Sequence, residues 1–348
     1  MSPTDTSAEM LRLCTRLLVG VLLALAGSLT WSGAHAGLMT GQRLTVAGVQ
    51  RSYDLYVPDE LGQGPVALVF MFHGHMGRSA VMTGANDRAA PYKRWLDLAA
   101  RHKFIVVAPQ GEKGADGYRG WNDCRADAQT NPRTDDLAFV DAMLAALRVR
   151  YPIDTARIYA TGTSNGGNFC YRLAQERSEV FAAVAPVVAA MPARNKCQIP
   201  SRPVSVLIMN GTADPILPYA GGPVGRRQRD QQQRGSVLST EDSVKYWVTH
   251  NGTETKPVIG TLADVEPDDG GQVSVATYGS GRAGTEVVLY RVQGGGHTEP
   301  SLSEHYGWLY RRVVGPQNHD IEMADVVWRF FQRHQRIHDA DVPSNRVQ

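Results

Sequence analysis

Short, nearly uninterrupted apolar runs separated by helix-length segments constrain this chain more than any other feature. They are Val66 to Phe72 (VALVFMF), Phe104 to Val107, Ile158 to Ala160, Phe181 to Ala185, Val204 to Met209 (VSVLIM) and Val287 to Val292 (VVLYRV). A strand with one wet face alternates apolar and polar residues, so continuous runs belong to a sheet covered on both faces. The segments between them carry helical spacing. Leu137, Val140, Leu144 and Leu147 fall on one face behind Thr134, a predicted cap, with Arg148 and Arg150 in the last turn. Ser239 with Asp242 forms a capping-box pattern ahead of Val244, Trp247 and Val248, and Val326, Val327, Phe330 and Phe331 mark a closing helix. Leu44 to Val57 alternates around Gly48 as an edge hairpin does. The alternation predicts an α/β fold with a mostly parallel central sheet and helices on both faces.

The N-terminus is set apart from that fold. Arg12 and Arg16 precede an apolar run from Leu17 that closes at Ala34-His35-Ala36, the pattern of a signal peptide over residues 1–36. The remainder, 37–348, is predicted to be a single catalytic domain, secreted to the periplasm or beyond and not held in a membrane. The loop Gly221 to Gly235 (GGPVGRRQRDQQQRG) reads as a solvated surface segment. With 36 Lys and Arg against 34 Asp and Glu, the net charge is only +2, and no long basic run exists to bind nucleic acid. After Cys14 leaves with the signal, three cysteines allow three single pairs, and Cys170 with Cys197 is the expected one, leaving Cys124 free. None of them has metal-ligand spacing.

The chemistry centres on Gly162-Thr163-Ser164-Asn165-Gly166. A G-x-S-x-G match is weak by itself, but this one follows the run Arg157 to Ala160 and precedes a helical segment from Asn168 to Glu176. That is the strand, sharp turn and helix of a nucleophile elbow, in which glycines relieve Cβ clashes. A serine hydroxyl needs a base, and in this architecture acid and histidine follow the serine in that order. Asp214 lies just past the VSVLIM run, within Gly211-Thr212-Ala213-Asp214-Pro215, and His297 follows the last strand and Gly294-Gly295-Gly296. The rival for Asp214 is an Asx-turn before proline. Asp135 and Asp136 precede the serine and open a helix, where a capping role suffices. Backbone amides of Asn165 and His75 are the expected oxyanion donors. The rival for His73-x-His75 is a metal pair, which lacks a third ligand nearby.

Together these residues resemble the secreted polyhydroxybutyrate depolymerase and feruloyl esterase family of α/β-hydrolases. The resemblance runs from about Tyr53 to Phe331. It rests on His73-Gly74, Gly120-Trp121-Asn122-Asp123, Asp135-Asp136 with Phe139, Thr163 to Gly167, Gly211 to Pro215, Gly295-Gly296-His297-Thr298 and Val327 to Phe331. It implies an α/β-hydrolase fold, a triad of Ser164, Asp214 and His297, and a Trp121 loop bordering the site. The chain departs from the family in Glu299-Pro300, where Trp-Pro is frequent, and in Gln175 and Thr253, where cysteines are frequent. The family's disulfides therefore do not transfer.

The expected activity is a cofactor-free, metal-free serine esterase acting as a monomer through an acyl-enzyme. Trp121 is a candidate aromatic platform for the acyl group, its rival reading being a partly buried structural tryptophan; Tyr219 is a second substrate-binding candidate. Family members that attack crystalline polyester commonly append a linker and a binding domain. This chain stops at Gln348, soon after its last helix pattern, so feruloylated or acetylated plant oligosaccharides, or short hydroxyalkanoate oligomers, are the expected substrates. An inactive binding protein and a peptidase on the same fold are the alternatives.

Overall fold

The computed structural model describes residues 37–86 and 90–336. The expected signal peptide, 1–36, lies outside the described residues. Ten strands form one sheet: β1 (Gly37–Val46), β2 (Val49–Val57), β3 (Val66–Phe72), β4 (Ile105–Pro109), β5 (Ile153–Thr163), β6 (Ala183–Val187), β7 (Ser205–Gly211), β8 (Val258–Thr261), β9 (Gln272–Tyr278) and β10 (Val287–Gln293). Their order is β1-β2-β4-β3-β5-β6-β7-β10-β9-β8. From β4 to β10 every neighbouring pair is parallel, and antiparallel strands flank both ends.

Helices cover both faces, as the apolar runs require. β3 is buried at every position. Its Leu68, Phe70 and Phe72 join one core with α2 (Asp136–Arg150), α3 (Asn165–Glu176) and α5 (Thr240–Asn251). Ala67, Val69 and Met71 join the other, with α1 (Arg94–His102) and α7 (Met323–Phe331). This is the period-two alternation of a pleated strand, with both faces apolar. Two smaller helices are α4 (Gln228–Gln233) and α6 (Trp308–Val314).

The differences from the sequence reading are local. Strands β8 and β9 have no buried run to announce them: β8 is exposed throughout and β9 is mostly half-buried. They extend the free edge of β10. At α2 the cap is Asp135, which accepts from Ala138 N at 2.9 Å, while Thr134 Oγ1 donates to Asp136. Ser239 caps α5 as expected, accepting from Asp242 N at 2.9 Å. The expected Cys170–Cys197 pair does not form. Cys124 is bonded to Cys197 across 73 residues of sequence, and Cys170 is free and fully buried on α3. The reason is orientation: Cys170 faces the aromatic core, whereas Lys196 N donates to Cys124 O and Ala126 N to Arg194 O, which brings the other two thiols together.

Candidate active site

Because β3, β5, β6, β7 and β10 are parallel, their carboxyl ends share one edge, where α/β sheets place their ligands. Ser164 sits there between β5 and α3, at φ 54° and ψ −121°. A positive φ is strained for a residue with a Cβ and is tolerated only where the surroundings impose it. The imposed contact is backbone on backbone. A Cβ at Gly166 would lie 2.2 Å from Phe72 O, and one at Gly162 would lie 2.7 Å from Gly166 O. The two glycines thus serve close approach, while the serine itself takes the left-handed conformation. Ser164 N donates to Val187 O at 3.0 Å.

Asp214 and His297 meet at the same edge. His297 Nδ1 donates to Asp214 Oδ2 at 2.6 Å, and Asp214 Oδ1 accepts from Ile216 N and Leu217 N, both at 2.8 Å. The Asx-turn and the histidine partnership therefore coexist, one on each carboxylate oxygen. The two loops are stitched together: Ala213 N donates to Gly295 O and Gly294 N to Thr212 Oγ1, both at 2.9 Å. His297 N donates to Val314 O at 2.6 Å, which ties the histidine loop to α6. Burial alone would lower the imidazole's pKa. The charge and hydrogen bond of Asp214, helped by Glu299 and opposed by Arg234, outweigh that and leave it above its ordinary 6.5. No hydrogen bond joins Ser164 to His297 in this structure.

The turn after β3 supplies the other wall. A Cβ on Gly74 would lie 3.3 Å from Ser164 Cβ, so the turn passes directly against the serine. His73 is buried, with Nδ1 donating to Gly74 O at 2.7 Å and Nε2 accepting from Gly111 N at 2.9 Å. Burial lowers its pKa to about 4, so it is neutral and both ring nitrogens are spent on backbone. His75 is bonded to Asp116 at 2.8 Å, with Tyr118 across its ring. Burial, and then the charge of Arg234, lower its pKa. The amides of His75 and of Asn165, the latter in the first turn of α3, donate to no protein acceptor among the described residues.

Trp121 is fully buried, with no exposed indole face. Its faces are covered by Phe169, stacked at 5.4 Å, and Phe72, edge-on at 5.1 Å, and its Nε1 donates to His73 O at 2.8 Å. It holds the turn that carries His75 and is no exposed platform. Asn165 clamps the same loop: its Oδ1 accepts from Trp121 N at 2.6 Å and its Nδ2 donates to Asp123 Oδ2 at 2.7 Å. Tyr219 is half-buried and its hydroxyl is engaged, donating to Glu241 and accepting from Arg291 Nε, both at 2.8 Å. Asp135 and Asp136 have structural partners: Asp136 is buried and accepts from Arg51 and Asn122 N.

The sequence reading missed Arg234. Its charge bears on both His75 and His297, and its carbonyl accepts from Arg125 at 2.7 Å, so the end of a loop whose middle is exposed, as expected, is anchored beside the Asn165–Asp123–Arg125 chain. The one available signal was its density of arginines.

The sequence model of the esterase PHB depolymerase family matches residues 51–215. A probable feruloyl esterase C of Aspergillus niger is 30% identical over 213 residues, 59% of this chain and 72% of that protein. Feruloyl esterase D of Neurospora crassa is 28% identical over 326 residues, 91% and 95% of the two chains. Among solved structures, an acetyl xylan esterase from Aspergillus awamori superposes with a TM-score of 0.50 at 16% identity, over 76% of this chain and 96% of that one. The sheet, its elbow and that likeness make the fold an α/β-hydrolase.

Proposed function

The chain belongs to the esterase PHB depolymerase family and is a carboxylic ester hydrolase, and from that premise we propose how it works and on what. Ser164 attacks the ester carbonyl while His297 takes its proton. Asp214 holds the imidazole with Nδ1 protonated, so that Nε2 is the basic nitrogen, and stabilises the imidazolium that forms. The His75 and Asn165 amides receive the developing oxyanion. Collapse expels the alcohol, protonated by His297, and leaves an acyl-Ser164 ester; water activated by the same histidine then releases the acid. The observation that carries this reading is the strained elbow serine on the same sheet edge as a buried, hydrogen-bonded Asp214–His297 pair.

The substrates are feruloyl esters of plant oligosaccharides, with soluble hydroxyalkanoate oligomers as the second class. Relatives named feruloyl esterases support the first, and the family description supports the second. The protein works after export: the Ala34-His35-Ala36 signal and the Cys124–Cys197 disulfide both favour an oxidising compartment. Among the described residues no helix is long and apolar enough to cross a membrane. The test is release of ferulate from methyl ferulate and of hydroxybutyrate from soluble oligomers, with Ser164→Ala as the blank. That variant is expected to lose on the order of a millionfold in kcat. Near-normal turnover by folded Ser164→Ala protein would remove the assignment.

A further inference from the structure

A surface cavity of about 530 Å³ is lined by neither the serine nor the histidine. It is lined by Asn122, Arg125, Gln129, Asn131, Arg133 and Lys196, among others, and by no carboxylate. The disulfide builds it. Cys124 and Cys197 hold the segment after Trp121 against the segment 194–197, and Lys196 N donates to Cys124 O at 3.0 Å, which brings Lys196 to the side of Arg125.

The acids near this cavity lie outside its lining. Asp123 is held by the guanidinium of Arg125, with bonds from 2.7 to 3.2 Å, and by Asn165. Asp127 accepts from Ser236 through Oδ2 while its Oδ1 is buried against Gly235 without a hydrogen-bond partner, and Glu176 accepts from Arg172 at 2.6 Å. Arg133 has no ion pair among the described residues, and Lys196 Nζ reaches only the amide oxygen of Asn122, at 2.9 Å. Both are exposed. Deeper in the wall, Asn131 is only 9% exposed, and its Nδ2 is buried with no acceptor. Two cations that form no ion pair among the described residues, in a wall without a carboxylate, favour an anion.

The geometry points to a subsite for a carboxylate carried by the substrate away from the scissile ester. Resting on the esterase reading, it narrows the substrate class to esters bearing such a group. The wall is one residue layer from the elbow, because Asp123, between Asn122 and Cys124, accepts from the side chain of Asn165, the residue after Ser164. Planar guanidinium and ammonium donors suit a carboxylate oxygen pair. A bound carboxylate also offsets the depression of the Lys196 pKa, which arises first from burial and then from Arg172 and Arg125 against the pull of Asp123 and Glu176. Two sources share this chemistry: the free acid end of a hydroxybutyrate oligomer, and a uronate branch of a plant oligosaccharide.

The test compares kcat/KM within two matched pairs. One is the 3-hydroxybutyrate trimer against its terminal methyl ester; the other is a feruloylated xylo-oligosaccharide with and without a glucuronate branch. The carboxylate-bearing member of at least one pair should be preferred, and which pair shows it identifies the source. Lys196→Gln combined with Arg133→Gln should cut that preference about tenfold, the loss expected for charged hydrogen bonds to one group. Lys256→Gln, which removes an exposed lysine outside the cavity, should leave it intact. Equal rates within both pairs, or a preference that survives the double substitution, would overturn the subsite. Hydrolysis of p-nitrophenyl acetate by the unmodified enzyme reports separately on the esterase reading. Should that fail, titration of sodium glucuronate and 3-hydroxybutyrate into Ser164→Ala protein still decides the matter: saturable binding lost in the Lys196→Gln, Arg133→Gln background supports the subsite, and absence of binding removes it.

Discussion

The two halves of the site are held by different means. On the serine side the elbow is packed backbone on backbone, but the loop beside it is held by side chains: Trp121 stacks between Phe72 and Phe169, and Asn165, Asp123 and Arg125 form a buried hydrogen-bonded chain behind it. On the histidine side, backbone does it. A Cβ on Gly211 would lie 2.3 Å from Gly295 O, and one on Gly296 would lie 2.5 Å from Gly315 Cα, while His297 itself hangs from Val314 O and Asp214. The Trp121 loop is fixed by packing and polar satisfaction, so it should fail gradually as contacts are trimmed. The histidine side depends on backbone proximity and should fail abruptly when any Cβ is added.

The largest effects test the pairing between the halves. Asp214→Asn should lower kcat by about ten-thousandfold with the fold intact, since it favours the wrong tautomer of His297. A loss below about tenfold would show that His297 is oriented from elsewhere. Next comes the contrast in holding. Trp121→Ala should cost about 3 to 5 kcal/mol of stability by emptying a fully buried aromatic site. Trp121→Phe should cost only about 1 to 2, from the lost bond to His73 O. Gly296→Ala, although it adds a single carbon, should match the Trp121→Ala loss in thermal unfolding, because the atoms in its way are backbone. A mild Gly296→Ala would erase the distinction.

The Cys124–Cys197 link stands on the serine side, and Cys197→Ser should cost about 2 to 5 kcal/mol, whereas Cys170→Ser should leave the disulfide in place. Equilibrium unfolding with and without reductant separates the two.

The smallest effect is the pH response, and it moves activity and stability in opposite directions. The base must be neutral, so kcat/KM should fall as pH drops through the His297 pKa, which lies above 6.5. A histidine whose pKa is raised on folding contributes stability that is complete below its unfolded value. That contribution is lost as pH rises through the folded value. Activity should therefore rise across the window where this contribution declines. Asp214→Asn should shift the acidic limb of the activity profile to lower pH, since the charge that raises the His297 pKa is gone. An unmoved limb would assign it to another group.

The legibility of each feature in the residues alone depends on whether its cause is local. Ser164, Asp214 and His297 could be picked out because each stands just past an apolar run that can only be a buried strand, and parallel strands deliver the residues after their carboxyl ends to one edge. The rim could not. Trp121 looked available as a platform because an indole offers a large apolar face and the resemblance puts its loop at the border of the site, yet its environment comes from Phe72 and Phe169, far away in sequence. Strands β8 and β9 were invisible because an exposed edge strand needs no apolar pattern.

By itself, the sequence determined the alternation of strand and helix, the burial of both sheet faces and the order in which Ser164, Asp214 and His297 follow strands that end at one edge, since these arise from local periodicity and from the direction of the chain. Tertiary structure alone decided which cysteines pair, where Trp121 points, that the charge of Arg234 bears on two histidines and that Arg133 and Lys196 share a cavity whose lining has no acid. Each of these is a meeting of segments distant in the chain, and proximity of that kind is set by how packed layers place their loops.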